Sequence, residues 1–188
     1  FRVRLRKDWA ELELAHLEGR LGGRHTNKGT SITVKKLQLA TTDGINIAPT
    51  DVSFSWVAGQ GKKPATGSMT ANGLDLDALA RLAGHLPIDD AVRTQLAAYA
   101  PGGLLHDLAL EWTGEAKDLQ RWKIAGRFEK LRLNAHGEVP GLDGISGSIN
   151  GNERGGQLTL AGQQAALNLP QVFPQPRIEL TAFAAQTS

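Results

Sequence analysis

The chain has 188 residues, 40% hydrophobic and 21% charged, a composition that supports a packed fold and lies far from the polar, highly charged regime of disordered chains. Its 21 Lys and Arg against 19 Asp and Glu leave a formal charge of +2, and the basic residues are dispersed apart from Arg2, Arg4, Arg6 and Lys7; nucleic-acid binders concentrate cations on one face, so no nucleic-acid partner is expected. The absence of cysteine excludes disulfide scaffolds, thiolate metal sites and thiol nucleophiles.

Phe1, Val3 and Leu5 alternate with Arg2, Arg4 and Arg6, the period-two pattern of a half-buried strand. The same alternation returns in Leu12 and Leu14, Ile32 and Val34, Leu37 and Leu39, Ile45 and Ile47, and then Val52, Phe54 and Trp56. Across Lys35 and Lys36 the apolar phase slips by one residue, which predicts a β-bulge or a bend. Gly22-Gly23, Asp43-Gly44 and Gly59-Gln60-Gly61 are read as the tight turns.

From Leu74 to Gly103 the rhythm changes. Leu76, Leu79, Ala80 and Ala83 fall at the spacing of one helix face, with Asp75 as the cap and Pro87 as the stop. Ile88, Val92, Leu96 and Tyr99 define a second helix, closed by Pro101-Gly102-Gly103. Strands then resume with Leu108, Leu110 and Trp112, followed by Trp122 and Ile124, Leu131 and Leu133, Ile145 and Ile149, Leu158 and Leu160, Leu167 and Leu169, and Ile178 and Leu180. The expected fold is mainly β: a long antiparallel curled sheet, either a taco-like groove or an open sandwich, with an inserted helical hairpin. Residues 1–73 form its N-terminal strands, 74–103 the helical insertion, and 104–188 the C-terminal strands of the same sheet.

Chemistry-bearing residues form no constellation. The five histidines, His16, His25, His85, His106 and His136, stand singly, without metal-ligand spacing. Asp75 and Asp77, and Asp89 and Asp90, sit at predicted helix starts, where capping accounts for them without a hydrolytic role. The glycines between Gly141 and Gly156 match no phosphate loop, and Ser146 lacks the helix a nucleophile elbow needs. The reading is therefore a non-enzyme with no catalytic or metal residues and no cofactor.

The C-terminal third carries an ordered succession: Gly137-Glu138-Val139-Pro140-Gly141-Leu142, Ile145-Ser146-Gly147-Ser148-Ile149, Gly156-Gln157-Leu158-Thr159-Leu160 and Ala166-Leu167-Asn168-Leu169-Pro170-Gln171-Val172-Phe173. Together with Gly73-Leu74-Asp75-Leu76, Leu86-Pro87-Ile88 and Ala100-Pro101-Gly102-Gly103, it resembles the YhdP branch of AsmA-like proteins over about Gly67 to Phe183. Residues 1–66 match only as generic strands.

The resemblance implies a large protein anchored in the inner membrane of Gram-negative bacteria. It projects a taco-shaped sheet with an apolar inner groove across the periplasm and moves phospholipid toward the outer membrane. The chain starts at Phe1 and has no signal-like apolar segment, so it reads as a piece of that protein, with the anchor elsewhere. Its partners would be phospholipid or another acyl-chain lipid and neighbouring segments of the same longer chain.

The groove lining would be Leu12, Leu14, Ile32, Val34, Val52, Phe54, Trp56, Leu108, Leu110, Trp112, Leu158, Leu160, Leu167 and Leu169. Leu76, Leu79, Ile88, Val92 and Leu96 would form a helical cap or a gate. Two alternatives stay open: the same faces could be the closed interior of a sandwich, and the module could be a structural spacer that holds no lipid.

Overall fold

Nine long antiparallel strands follow one another in sequence order in the computed structural model, which describes residues 2–3, 11–85, 89–115, 118–172, 174 and 176–187. They are β2 (Leu12–Thr26), β3 (Gly29–Thr41), β4 (Asn46–Val57), β5 (Thr66–Asp75), β6 (Gly102–Glu115), β7 (Asp118–Leu133), β8 (Gly141–Asn152), β9 (Gly155–Asn168) and β10 (Arg177–Thr187). A two-residue strand β1 (Arg2–Val3) pairs with Leu12 and Glu13 at the start of β2. The sheet is an open meander, because β10 pairs only with β9 and never returns to β2.

Between β5 and β6 lie α1 (Leu76–Leu82), a 3-10 turn (Ala83–His85) and α2 (Asp90–Tyr99). Asp75 caps α1 by accepting from the Ala78 amide at 3.0 Å, and Asp89 caps α2 by accepting from the Ala91 amide at 2.8 Å. Both acids thus do the capping expected of them. The helix-ending position is Ala100, left-handed at φ 41°, rather than a glycine; Gly102 and Gly103 already belong to β6. Pro87 and Ile88 lie outside the described residues.

The strands are longer and fewer than their apolar groups suggest, since a bulge carries one strand through what the alternation reads as a boundary. Ile32 to Leu39 is continuous in β3, and Ile47 to Trp56 in β4. Gly22-Gly23 is not a turn. Both glycines are paired inside β2, opposite Thr33 and Ile32, and the reversal comes later at Asn27-Lys28. Asp43-Gly44 and Gly61 do lie in turns, with Gly44 at φ 84° and Gly61 at φ 58°.

The phase slip at Lys35-Lys36 is a bulge, with Lys36 at φ 52°. The Asp51 carboxylate locks it, accepting from the Lys36 amide at 2.8 Å and from Lys35 Nζ at 2.9 Å. Chiefly through the Lys36 amide, and then through Lys35, these bonds hold the Asp51 carboxyl below its ordinary value. A depressed folded-state value gives stability that is present above the unfolded value near 4 and lost as pH falls through the folded one. Asp51→Asn is therefore expected to flatten the fall of stability with acidification below about pH 4 in urea titrations. Identical acid limbs for the two proteins would remove Asp51 from this role.

Positive-φ residues at Asp107, Lys130 and Gln164 mark comparable bulges in β6, β7 and β9. Each lets two nearby apolar residues, such as Leu105 and Leu108, stay on one side of the sheet, as the register with Phe128 and Ala71 requires.

Packing is one-sided. The accessible surface is 12713 Å², whereas a compact monomer of 20.1 kDa exposes about 8,700 Å². Among the described residues Ile45 is a large side chain buried to 2 % exposure. One buried cluster joins Leu14, Leu39, Ile45 and Ile47 to Ala78 and Leu82 of α1; a second gathers Phe128, Ile145 and Ala165 with partly buried residues of β6 to β10. The expected choice between groove and sandwich resolves to a single open sheet: among the described residues, no second sheet faces it.

Candidate functional site

Cross-strand register assigns each side chain to a face, because directly paired residues point the same way. One transverse row runs through eight strands: Gly23, Ile32, Phe54, Met69, Leu110, Ile124, Gly151 and Gly156. A parallel row holds Leu21, Val34, Val52, Ala71 and Leu108. In the C-terminal half, Gly126, Ile149 and Leu158 form a row, as do Leu142, Leu167 and Ile178. The intervening positions are polar: Ser31 with Ser55, Thr33 with Ser53, Ser55 with Ser68, Glu111 with Lys123. Ser55 and Ser68 hydrogen-bond across the strands at 2.9 Å. The sheet therefore has one apolar face and one polar face along its whole width.

Aromatic residues on the apolar face lie over glycines. Trp112 lies where a side chain at Gly67 would stand, Phe128 Cζ is 2.9 Å from the place of a Cβ at Gly147, and Phe183 Cε1 is 2.6 Å from that at Gly162. Glycine lets each ring lie flat along the sheet instead of standing away from it. Trp112 also reaches Phe54, with ring centroids 6.1 Å apart and planes tilted by 39°.

Much of this face is in water. Leu21 is 79 % exposed, Leu17 50 % and Ile32 42 %, while Phe54, Trp56, Leu110, Trp112, Leu158 and Leu160 are half-buried. These open apolar side chains are neighbours in register rather than scattered singly over the surface.

Helix α1 covers one end of it. Leu79 packs against the cluster of Leu14, Leu39, Ile45 and Ile47. Both flanks of the helix are tied down: Arg81 donates to the Asp43 carbonyl at 2.9 Å and the Gly44 carbonyl at 3.3 Å, and Asp77 accepts from the Gly103 amide at 3.0 Å and ion-pairs with Arg132. The Thr41 hydroxyl foremost, with Arg81 and His85 contributing, holds Asp43 below the usual carboxylate range. By contrast, α2 buries no side chain; Val92 is 47 % exposed and Leu96 half-buried. Its ties to the sheet include the Tyr99 carbonyl, which accepts from the Asn134 amide at 2.7 Å, and an edge contact of the Tyr99 ring with His136.

A match to a family by sequence covers residues 1–188, and that family is described as YhdP protein. The chain belongs to the YhdP family. A comparison with curated proteins and one with solved structures each returned no match.

The register places the anticipated lining residues on a common face: Leu12, Leu14, Ile32, Val34, Val52, Phe54 and Trp56 on β2 to β4, Leu108, Leu110 and Trp112 on β6, Leu158, Leu160 and Leu167 on β9. Leu169 falls just beyond β9, where its amide donates to the Pro176 carbonyl. Of the anticipated helical residues, Leu79 reaches the sheet cluster, Leu76 is half-buried, and Val92 and Leu96 lie on α2, which buries no side chain; Ile88 is outside the described residues. Strand β5 was missed altogether. Its face residues Gly67, Met69, Ala71 and Gly73 include two glycines and an alanine, so the period-two signal is too weak to read. Among the described residues no group of three or more His, Asp or Glu side chains is placed to hold a metal.

Proposed function

We propose that this segment of the YhdP family works as a non-enzymatic stretch of lipid conduit, its apolar face forming a trough on which the acyl chains of a phospholipid lie during transport toward the outer membrane. The carrying observation is the unbroken apolar row from Ile32 through Phe54, Met69 and Leu110 to Ile124, exposed at Ile32, half-buried along the rest, and without a facing layer among the described residues. Each CH₂ of a lipid tail removed from water there gains ~0.8 kcal/mol, so a continuous surface can hold a tail with no specific pocket. An apolar wall with few hydrogen-bonding groups holds chains without fixing their position, which suits movement along it. Family membership supports the wider setting: a protein anchored in the inner membrane that acts in the periplasm.

The test is lipid extraction from the purified chain, followed by thin-layer chromatography and native mass spectrometry. Co-purified or exchangeable phospholipid is the expected result. Repeated absence of both would leave the module as a structural spacer.

A further inference from the structure

The two ends of the strands differ. The reversals β2–β3, β4–β5, β6–β7 and β8–β9 all lie at the end opposite α1, and on the apolar face just inside that end runs one register row: Thr30, Trp56, Gly67, Trp112 and Trp122. Three of the four tryptophans in the chain stand in this row. Tryptophan prefers boundaries where one side is hydrocarbon and the other is wet and polar.

Outside the row, the first two reversals carry cations and no acids. Residues 24–31 and 55–70 contain Arg24, Lys28, Lys62 and Lys63 without a single Asp or Glu. The two tips are tied together, since the Ala58 amide donates to the Lys28 carbonyl at 2.9 Å. The second tip is a rigid turn, closed by reciprocal bonds between Gln60 and Lys63 of 2.9 and 3.0 Å. Among the described residues, no carboxylate lies within ion-pair distance of Lys28, Lys62 or Lys63. The fourth tip differs, because Arg154 there has Glu153 at 3.9 Å.

We infer that the tips of the β2–β3 and β4–β5 hairpins form a headgroup station for an anionic phospholipid: Lys28, Lys62 and Lys63 receive its phosphate, Trp56 and Trp112 mark its glycerol level, and its tails lie on the apolar face. This rests on the conduit reading and adds a lipid class to it. Neighbouring hairpins are about 10 Å apart along the sheet, close enough for both tips to serve one headgroup. A single lipid, rather than a bilayer surface, is the occupant that fits, because the lysines stand outermost with the tryptophans behind them. A rim built to enter a bilayer leads with its aromatic groups.

The test uses the purified chain with short-chain phosphatidylglycerol and phosphatidylcholine of identical tails, both below their aggregation concentrations, read by native mass spectrometry and tryptophan fluorescence. The wild type is expected to bind phosphatidylglycerol more tightly. The Lys28→Gln/Lys62→Gln/Lys63→Gln variant should lose about tenfold or more of that affinity while keeping its phosphatidylcholine affinity and its β-sheet circular dichroism; the corresponding triple Arg variant should retain the preference. Equal affinity for the two headgroups, or a preference unchanged in the Gln variant, overturns the station while leaving the conduit intact. So does competition by inorganic phosphate alone, or binding to phosphatidylglycerol vesicles without binding to the dispersed lipid. Failure of both dispersed lipids to bind removes the conduit reading and the station with it.

Discussion

Full-length protein carrying Leu110→Asp is expected to deliver phospholipid at least about tenfold more slowly than the wild type, with Phe54→Asp doing the same. Leu110 lies between Met69 and Ile124 in the long apolar row, and Phe54 is two strands away in that row. A carboxylate there keeps its water only while the face is empty. An acyl chain passing over it must strip that water, at a cost of several kcal/mol. Both positions are half-buried rather than enclosed, so the substitutions should leave the sheet folded. Glu111→Gln, on the polar face beside Leu110, is the matched control and should deliver lipid normally. Measured lipid delivery at the wild-type rate by a folded, expressed Leu110→Asp protein would rule out a conduit through this segment.

The second large effect is on stability and separates two kinds of apolar residue. Ile45→Ala should cost about 2–4 kcal/mol, read as a lower urea midpoint at unchanged slope, because Ile45 is 2 % exposed among Leu14, Leu39 and Ile47 under α1. Leu21→Ala, on the same face of the sheet but 79 % exposed, should change stability by less than about 0.5 kcal/mol. A loss at Leu21 as large as at Ile45 would mean that a second layer covers the open face. The pair thus distinguishes the leucines and isoleucines that hold the fold from those that the fold holds out to solvent.

Much of this was legible in the sequence. Where strands alternate large aliphatic and polar residues, as from Ile32 to Val34, Val52 to Trp56 and Leu108 to Trp112, the period alone assigns the apolar face, because the pleat enforces it. The bulge at Lys35-Lys36 was readable for the same reason: a phase slip in a one-sided pattern has few other meanings. The caps Asp75 and Asp89 were readable from local chemistry.

What failed to show had physical causes too. Glycine inside a strand looks like a turn, so Gly22-Gly23 misled, and in β5 Gly67, which makes room for Trp112, and Gly73 erased the alternation. The two helices have similar apolar spacing, yet α1 packs into the buried cluster and α2 buries no side chain, a difference set by ties such as those of Arg81 and Asp77 to groups far away in the chain, which leave no local trace. Nor does a one-dimensional pattern reveal whether an apolar face meets a partner layer or water. The register of the whole sheet and its accessible area decide that.

In this meander each strand hydrogen-bonds only to the strands before and after it in the chain. Stability in such an array accumulates link by link, as in solenoid proteins, and no strand pairing must wait for distant parts of the sequence to meet. Unfolding should accordingly proceed hairpin by hairpin rather than in one step. Evolution could lengthen or shorten an architecture of this kind by whole hairpins without redesigning those that remain.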